Sequence, residues 1–216
     1  MAGRSAYIPE LDGLRGLAAL AVVLFHSGLA RGGGNGVDVF FVLSGWLITN
    51  ILAREFDSRG DIDVGAFLTR RVRRLFPAFA FLLVVIVCLG PSLWPFVALA
   101  ASYTINLYMP FIRPAHILGH TWTLAAEWQF YLVWPFVVPL LLRLGRERAT
   151  IALLIVCVVL TLARLPLYQE GLWPVATFSP LHDTGLLLGA AVALNPPRDA
   201  PPWLGWLGLA ILAPTV

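Results

Sequence analysis

The chain has 216 residues, 59% of them hydrophobic and only 12% charged, and its mean hydropathy is +0.81. A soluble domain is nearer half apolar and a quarter charged, so this composition excludes a water-soluble globule and identifies an integral membrane protein. All 15 basic residues are arginines and the net charge is +3; because the arginines cluster at the ends of apolar runs, they read as topology signals and exclude a nucleic-acid partner.

The apolar residues come in long unbroken runs, not in the alternation of an outer-membrane barrel, so the fold class is all-α. We expect a polytopic transmembrane bundle of seven to eight membrane segments forming a single domain, residues 1–216. The first span runs over Leu14 to Ala30, LRGLAALAVVLFHSGLA, and Val37 to Ala53 forms the second. A glycine-rich turn, Gly32 to Gly36, joins them. From Arg54 to Arg74 the chain is polar and carries six arginines, which predicts a cytoplasmic segment.

Leu75 to Trp94 spans outward, with Pro77 in its first turn. Phe96 to Tyr108 is apolar but too short to cross, so it reads as re-entrant or packed at the outer surface. A polar loop with Arg113, His116 and His120 leads to the spans Leu124 to Leu142, Ala149 to Tyr168 and Pro180 to Leu194. A further apolar run starts at Trp203. With the amino terminus cytoplasmic, every arginine except Arg31, Arg113 and Arg164 falls inside, as the positive-inside rule demands of an inner-membrane, multi-pass protein.

Polar residues inside these runs carry the chemistry. Arg15 and His26 are 11 residues apart, so on a helix they lie about 16 Å apart along the axis and within about 20° of one face. His26 then falls well inside the bilayer, where an ionisable group is costly and faces protein or a wet cavity. Two readings stand for it: a hydrogen bond to a neighbouring helix, or a reacting centre. Ser44 and Gly45, small residues at mid-span, read first as a tight helix contact. Glu127, inside LAAEWQFYLVW, needs a partner or a function. Cys88 and Cys157 sit in separate apolar runs and read as packing residues, and no metal site is expected.

Four blocks in order, PELDGLRGLAALAVVLFH, GVDVFFVLSGWLIT, FLTRRVRRLFPAF and HTWTLAAEWQFYLVWP, make the chain resemble the membrane-bound acyltransferase-3 family, and SPLHDTGLLLGAAVAL is similar to a later span of it. The resemblance covers roughly residues 7 to 195. It implies an acyltransferase that moves an acyl group, acetyl being the one expected, from acyl-CoA on the cytoplasmic side to a hydroxyl. The implied acceptor is a carbohydrate or lipid-linked sugar, as in polysaccharide modification, with membrane lipids around the protein. No cofactor is permanently bound, acyl-CoA (acetyl-CoA) being a co-substrate. Family members usually have more spans, so the chain is expected to be truncated. The rival reading is an inert truncated paralogue or a small-solute transporter, and against the transporter there is no internal repeat.

By the same resemblance, the family's arginine and histidine fall on Arg15 and His26, its paired arginines on Arg71 and Arg74, and its tryptophan and glutamate on Trp122 and Glu127. Thr123 stands where serine is usual and Trp128 where a second glutamate is common. In this reading His26 is the base, oriented by Glu127 or Asp38. Trp122, Thr123, Ser44 and loop amides serve the oxyanion and substrate, with Asp12 grouped beside Arg15. Arg15 and the tetrad Arg70, Arg71, Arg73 and Arg74 offer forked donors for the CoA phosphates. Direct transfer in a ternary complex is expected ahead of a covalent route through His26 or Ser44.

Overall fold

The computed structural model describes residues 9–29, 35–111 and 117–196. The glycines at 32–34, the loop residues Arg113 and His116, and the apolar run from Trp203 lie outside these. Among the described residues the regular structure is entirely helical: α1 Pro9–His26, α2 Gly36–Arg59, α3 Val64–Leu89, α4 Trp94–Ala101, α5 Ile105–Tyr108, α6 Trp122–Leu144, α7 Arg146–Gln169, α8 Trp173–Phe178 and α9 Thr184–Leu194. Single 3₁₀ turns lead into α4, α6 and α9.

Among the described residues, four stretches are long and apolar enough to cross a membrane: Gly36–Arg59, Val64–Leu89, Gly119–Leu144 and Arg146–Gln169. The other expected segments are the shorter helices α1 and α9, besides the run from Trp203, which lies outside the described residues. α1 has 18 residues but takes Glu10, Asp12 and Arg15 into its first turns, and α9 has only 11. The segment at 96–108, expected not to cross, is broken into α4 and α5 at Tyr103, whose φ of 54° is left-handed.

The largest difference lies at 54–74. Instead of a polar connection, α2 continues to Arg59, Gly60 caps it at φ 74°, and α3 starts at Val64. Asp63 is the N-cap of α3, its carboxylate accepting from the Ala66 amide at 2.8 Å. Arginine is a good helix former with a long apolar stem, so the tetrad fits inside a helix. Arg71 and Arg74, three residues apart, then share one face. Pro77 consequently lies in the helix interior, where it offers no N–H to the Arg73 carbonyl.

α2 is the hub, packing on α1, α6 and α9. It runs parallel to α6, as Ser44 meets Glu127 and, further along both helices, Trp134 donates to the buried Thr49 hydroxyl at 2.7 Å. It also runs parallel to α9, backbone against backbone. A Cβ on Gly45 would strike the Leu186 carbonyl, and one on Gly189 would strike the Val42 carbonyl and come within 2.7 Å of the Trp46 nitrogen. Gly185, four residues before Gly189, faces Phe41 in the same way, giving the small-residue spacing that brings membrane helices together. α7 runs the other way along α9, Thr150 lying by Ala191 and Cys157 by Thr184. Ile48, Leu52, Phe67, Val138, Leu153 and Leu194 fill the core between these helices.

On α6, two residues past Glu127, Gln129 exchanges hydrogen bonds with the buried Asn106 at 2.9 and 3.1 Å and donates to the Tyr103 carbonyl at 2.8 Å. The Tyr103 ring stacks on Trp128 with centroids 5.1 Å apart. These contacts hold α4 and α5 against α6.

Overpacking at the α2–α9 contact should cost about 1–3 kcal/mol. Gly189→Ala is therefore expected to lower unfolding stability in detergent by about that amount. Gly16→Ala, with open space around it, should be neutral or stabilise by up to ~1 kcal/mol. Equal stability of the two variants would contradict the close backbone contact.

Candidate functional site

Inside the bundle, the Glu127 carboxylate is held from two helices. The Ser44 hydroxyl on α2 donates to Oε1, and the Tyr131 hydroxyl, one turn along α6, donates to Oε2 at 3.3 Å. Ser44, which could have been mere helix packing, is thus a polar partner, while Gly45 beside it makes the tight contact. The three residues line a cavity of about 180 Å³ with Arg15, Arg71 and Arg74, closed by Phe40, Leu47, Ile48 and Leu75. Three guanidinium groups against one carboxylate leave the cavity cationic. Arg71 is partly buried, its guanidinium carbon 5.7 Å from the Phe67 ring centre, and its Nε–H has no protein acceptor. Free forked donors in a cavity of this sign suit an anion such as a phosphate.

A second cavity, about 250 Å³, lies toward the start of α2 and α6, lined by Val37, Phe40, Phe41, Thr123, Leu124 and Glu127. Phe40 and Glu127 belong to both cavities. The Thr123 hydroxyl donates to the His120 carbonyl at 3.2 Å. Among the described residues, no three His, Cys, Asp or Glu side chains gather to hold a metal.

Several expected contacts are different. His26 is not deep in the bundle. Gly36, the first residue of α2, abuts Ala18 and Val22 of α1, so α1 runs on past the start of α2 and His26 is exposed at its tip. Its ring meets Phe25, at 5.4 Å between centroids, and neither Glu127 nor Asp38. The same register carries Arg15, expected at a membrane edge, into the cationic cavity. Asp12 pairs with Arg15 at 3.6 Å, and Arg70 pairs with Glu55 at 3.6 Å, so neither lines the cavity. Trp122 sits in an aromatic cluster, edge-on to Phe41, Phe178 and His182, and is not among the residues lining either cavity.

Asp38 has a partner that sequence reasoning did not single out. Its Oδ1 lies 3.0 Å from Nε2 of His182, whose Nδ1 lies 3.0 Å from the Arg164 guanidinium. Arginine can only donate, so in the neutral ring Nδ1 accepts and Nε2 carries the proton toward Asp38. With both nitrogens occupied, His182 ties α2, α7 and the turn before α9 together. Tyr131 was also not singled out as a site residue, though its signal was available: it stands four residues after Glu127, on the same helix face.

A family model described as "Acyltransferase domain" matches residues 8–214. The chain is 39% identical to the peptidoglycan O-acetyltransferase OatA of Listeria monocytogenes, over 60% of this chain and 24% of that protein. It is 35% identical to the putative peptidoglycan O-acetyltransferase YrhL of Bacillus subtilis, over 87% of this chain and 33% of that protein. Its identity to the O-acetyltransferase OatA of Staphylococcus aureus is also 35%, over 72% of this chain and 29% of that protein. The chain thus spans a third or less of the length of these relatives. No solved structure matches it.

The two histidines should separate in a stability measurement. His182→Ala breaks a partly exposed clasp and is expected to lower unfolding free energy by about 1 kcal/mol, whereas His26→Ala should leave it unchanged. Equal losses would show that His26 has a partner comparable to that of His182.

Proposed function

The chain belongs to the acyltransferase-domain family, and on that footing we propose that it is a membrane O-acyltransferase taking acyl groups, acetyl first among them, from acyl-CoA at the cytoplasmic face of the inner membrane. The acceptor is a hydroxyl of a carbohydrate, the class to which the peptidoglycan named for its relatives belongs. The observation that carries this reading is Glu127, a carboxylate common to a cavity lined by three arginines and to an adjoining second cavity nearer the start of the same helices. The amino terminus is cytoplasmic in this reading, in keeping with the distribution of arginines.

Arg71 and Arg74, with Arg15, bind the phosphates of the donor and bring its thioester to the inner side of Glu127. The acceptor hydroxyl approaches Glu127, which takes its proton as the oxygen attacks the thioester carbonyl. Collapse of the tetrahedral adduct forms the ester C–O bond and breaks the C–S bond, and the leaving thiolate recovers the proton. Ser44 and Tyr131 keep the carboxylate aimed by donating to its two oxygens. The base role expected of His26 passes to Glu127, because a base must be within hydrogen-bond reach of the proton it removes. Asp38 acts through His182 as a positioning residue at the start of α2.

Glu127→Gln keeps the shape and removes the base, and is expected to lower transfer from labelled acetyl-CoA by about 100-fold or more in proteoliposomes. Arg71→Ala with Arg74→Ala should raise the KM for the donor by about tenfold or more, with a smaller effect on kcat. Unaltered donor KM in the double variant would remove the arginines from donor binding.

A further inference from the structure

Two side-chain stripes define where the cavities meet. On α2, Phe40, Ser44, Leu47 and Ile48 follow at helical spacing along the arginine-lined cavity, whereas Val37, Phe40 and Phe41 face the second one. Phe40 is therefore the one residue of α2 that the two stripes share. On α6 the same holds for Glu127, with Tyr131 on one side and Thr123 and Leu124 on the other.

Phe40 also differs from its neighbour. Phe41 is 1% exposed, has Trp122 and His182 edge-on against it, and belongs to a core cluster with Ala126 and Leu186. Phe40 is partly exposed and belongs to none of the three core clusters found among the described residues. Phe40 thus borders both cavities from the second turn of the hub helix.

We propose that Phe40 is the partition between the two cavities, a specificity-determining residue that keeps water and solutes in the second cavity from the arginine-lined one. Resting on the acyl-transfer reading, its consequence is selectivity for the acceptor. With the ring in place, a thioester beside Glu127 is shielded from water, the commonest competing hydroxyl. An acceptor displaces the ring as it docks. Without the ring, water reaches the same carbonyl, its proton goes to Glu127, the C–S bond breaks, and free carboxylic acid and thiol leave. The boundary itself, however, is a property of the packing and can be measured without any donor.

The test uses the full chain in sealed vesicles, with Cys88 and Cys157 replaced by alanine and a single cysteine introduced. Leu47→Cys reports on the arginine-lined cavity and Leu124→Cys on the second one. A charged, membrane-impermeant maleimide is added to one face of the membrane at a time. With Phe40 intact, the two cysteines should be labelled from opposite faces. With Phe40→Ala added, the Leu47→Cys chain should become labelled from the Leu124 face too, at the rate of the Leu124→Cys chain, and Phe40→Trp should restore one-sided labelling. An unchanged Leu124→Cys rate in Phe40→Ala shows that the bundle is still folded. Two-sided labelling at Leu47→Cys with Phe40 intact, or one-sided labelling in Phe40→Ala, would overturn the partition.

A second readout tests the chemistry separately. In Phe40→Ala, thioester hydrolysis of acetyl-CoA without acceptor should rise about tenfold or more, a loss of about 1.4 kcal/mol of barrier. Changed labelling without changed hydrolysis would uphold the partition and refute the donor assignment.

Discussion

A carboxylate inside an apolar bundle sets the terms for the rest of this molecule. Removing an ionised group from water costs several kcal/mol unless hydrogen-bond donors and opposite charges replace the lost hydration. Glu127 is supplied with both: two hydroxyls from separate helices and guanidinium groups across a small cavity. Neither supply comes from the sequence neighbourhood alone. It requires α2 and α6 to run side by side in the same direction, with α3 passing in the opposite sense so that Arg74 lies toward Glu127 and Phe67 toward Tyr131. The register of these three helices is in effect the structure of the site.

What fixes that register is backbone contact. In a membrane, lipid tails are as apolar as leucine, so helix association relies on close packing more than on hiding apolar surface. Gly45, Gly185 and Gly189 let α2 and α9 touch along their main chains, and side chains of ordinary size at those positions would force the pair apart. The His182 clasp to Asp38 and Arg164 then pins one end of the assembly, and Arg146, 2.5 Å from Asp57 and 3.4 Å from the Leu194 carbonyl, pins the other. Tight packing sets the spacing, and polar contacts set the alignment.

Much of the fold was legible because hydropathy is a strong signal in lipid. The run starting at Val37 begins within a residue of α2, and Ala149 to Tyr168 lies inside α7. The helical state of the arginine tetrad was not legible from charge, which marks a polar segment without giving its secondary structure; arginine has good helix propensity and a stem long enough to reach water from inside a helix. Of the site, Arg15, Ser44 and Glu127 stood out in local pattern and Arg71 and Arg74 through the family resemblance, and the structure brings them into one cavity. The place of His26 was not legible, because the length of α1 beyond α2 is set by where the two helices touch, which no single segment encodes. The pairing of Asp38 with His182 was equally hidden. It joins residues from opposite ends of the chain, and only the parallel course of α2 and α9 brings them together.

That parallel course has an electrostatic consequence. Each helix carries partial positive charge at its first turn and partial negative charge at its last, and like-directed neighbours add these instead of cancelling them. α2, α6 and α9 all point one way, so their like poles lie side by side at each end, and the counter-running α1, α3 and α7 offset them from the neighbouring positions. Side chains offset this: Asp38 stands in the first turn of α2 and Asp183 at the N-cap of α9, with Arg59 and Arg143 in the last turns of α2 and α6. The polarity is thus local to this parallel group and opposed there by its own side chains, so inverting the charges at these helix ends would strain the group even where no ion pair is lost.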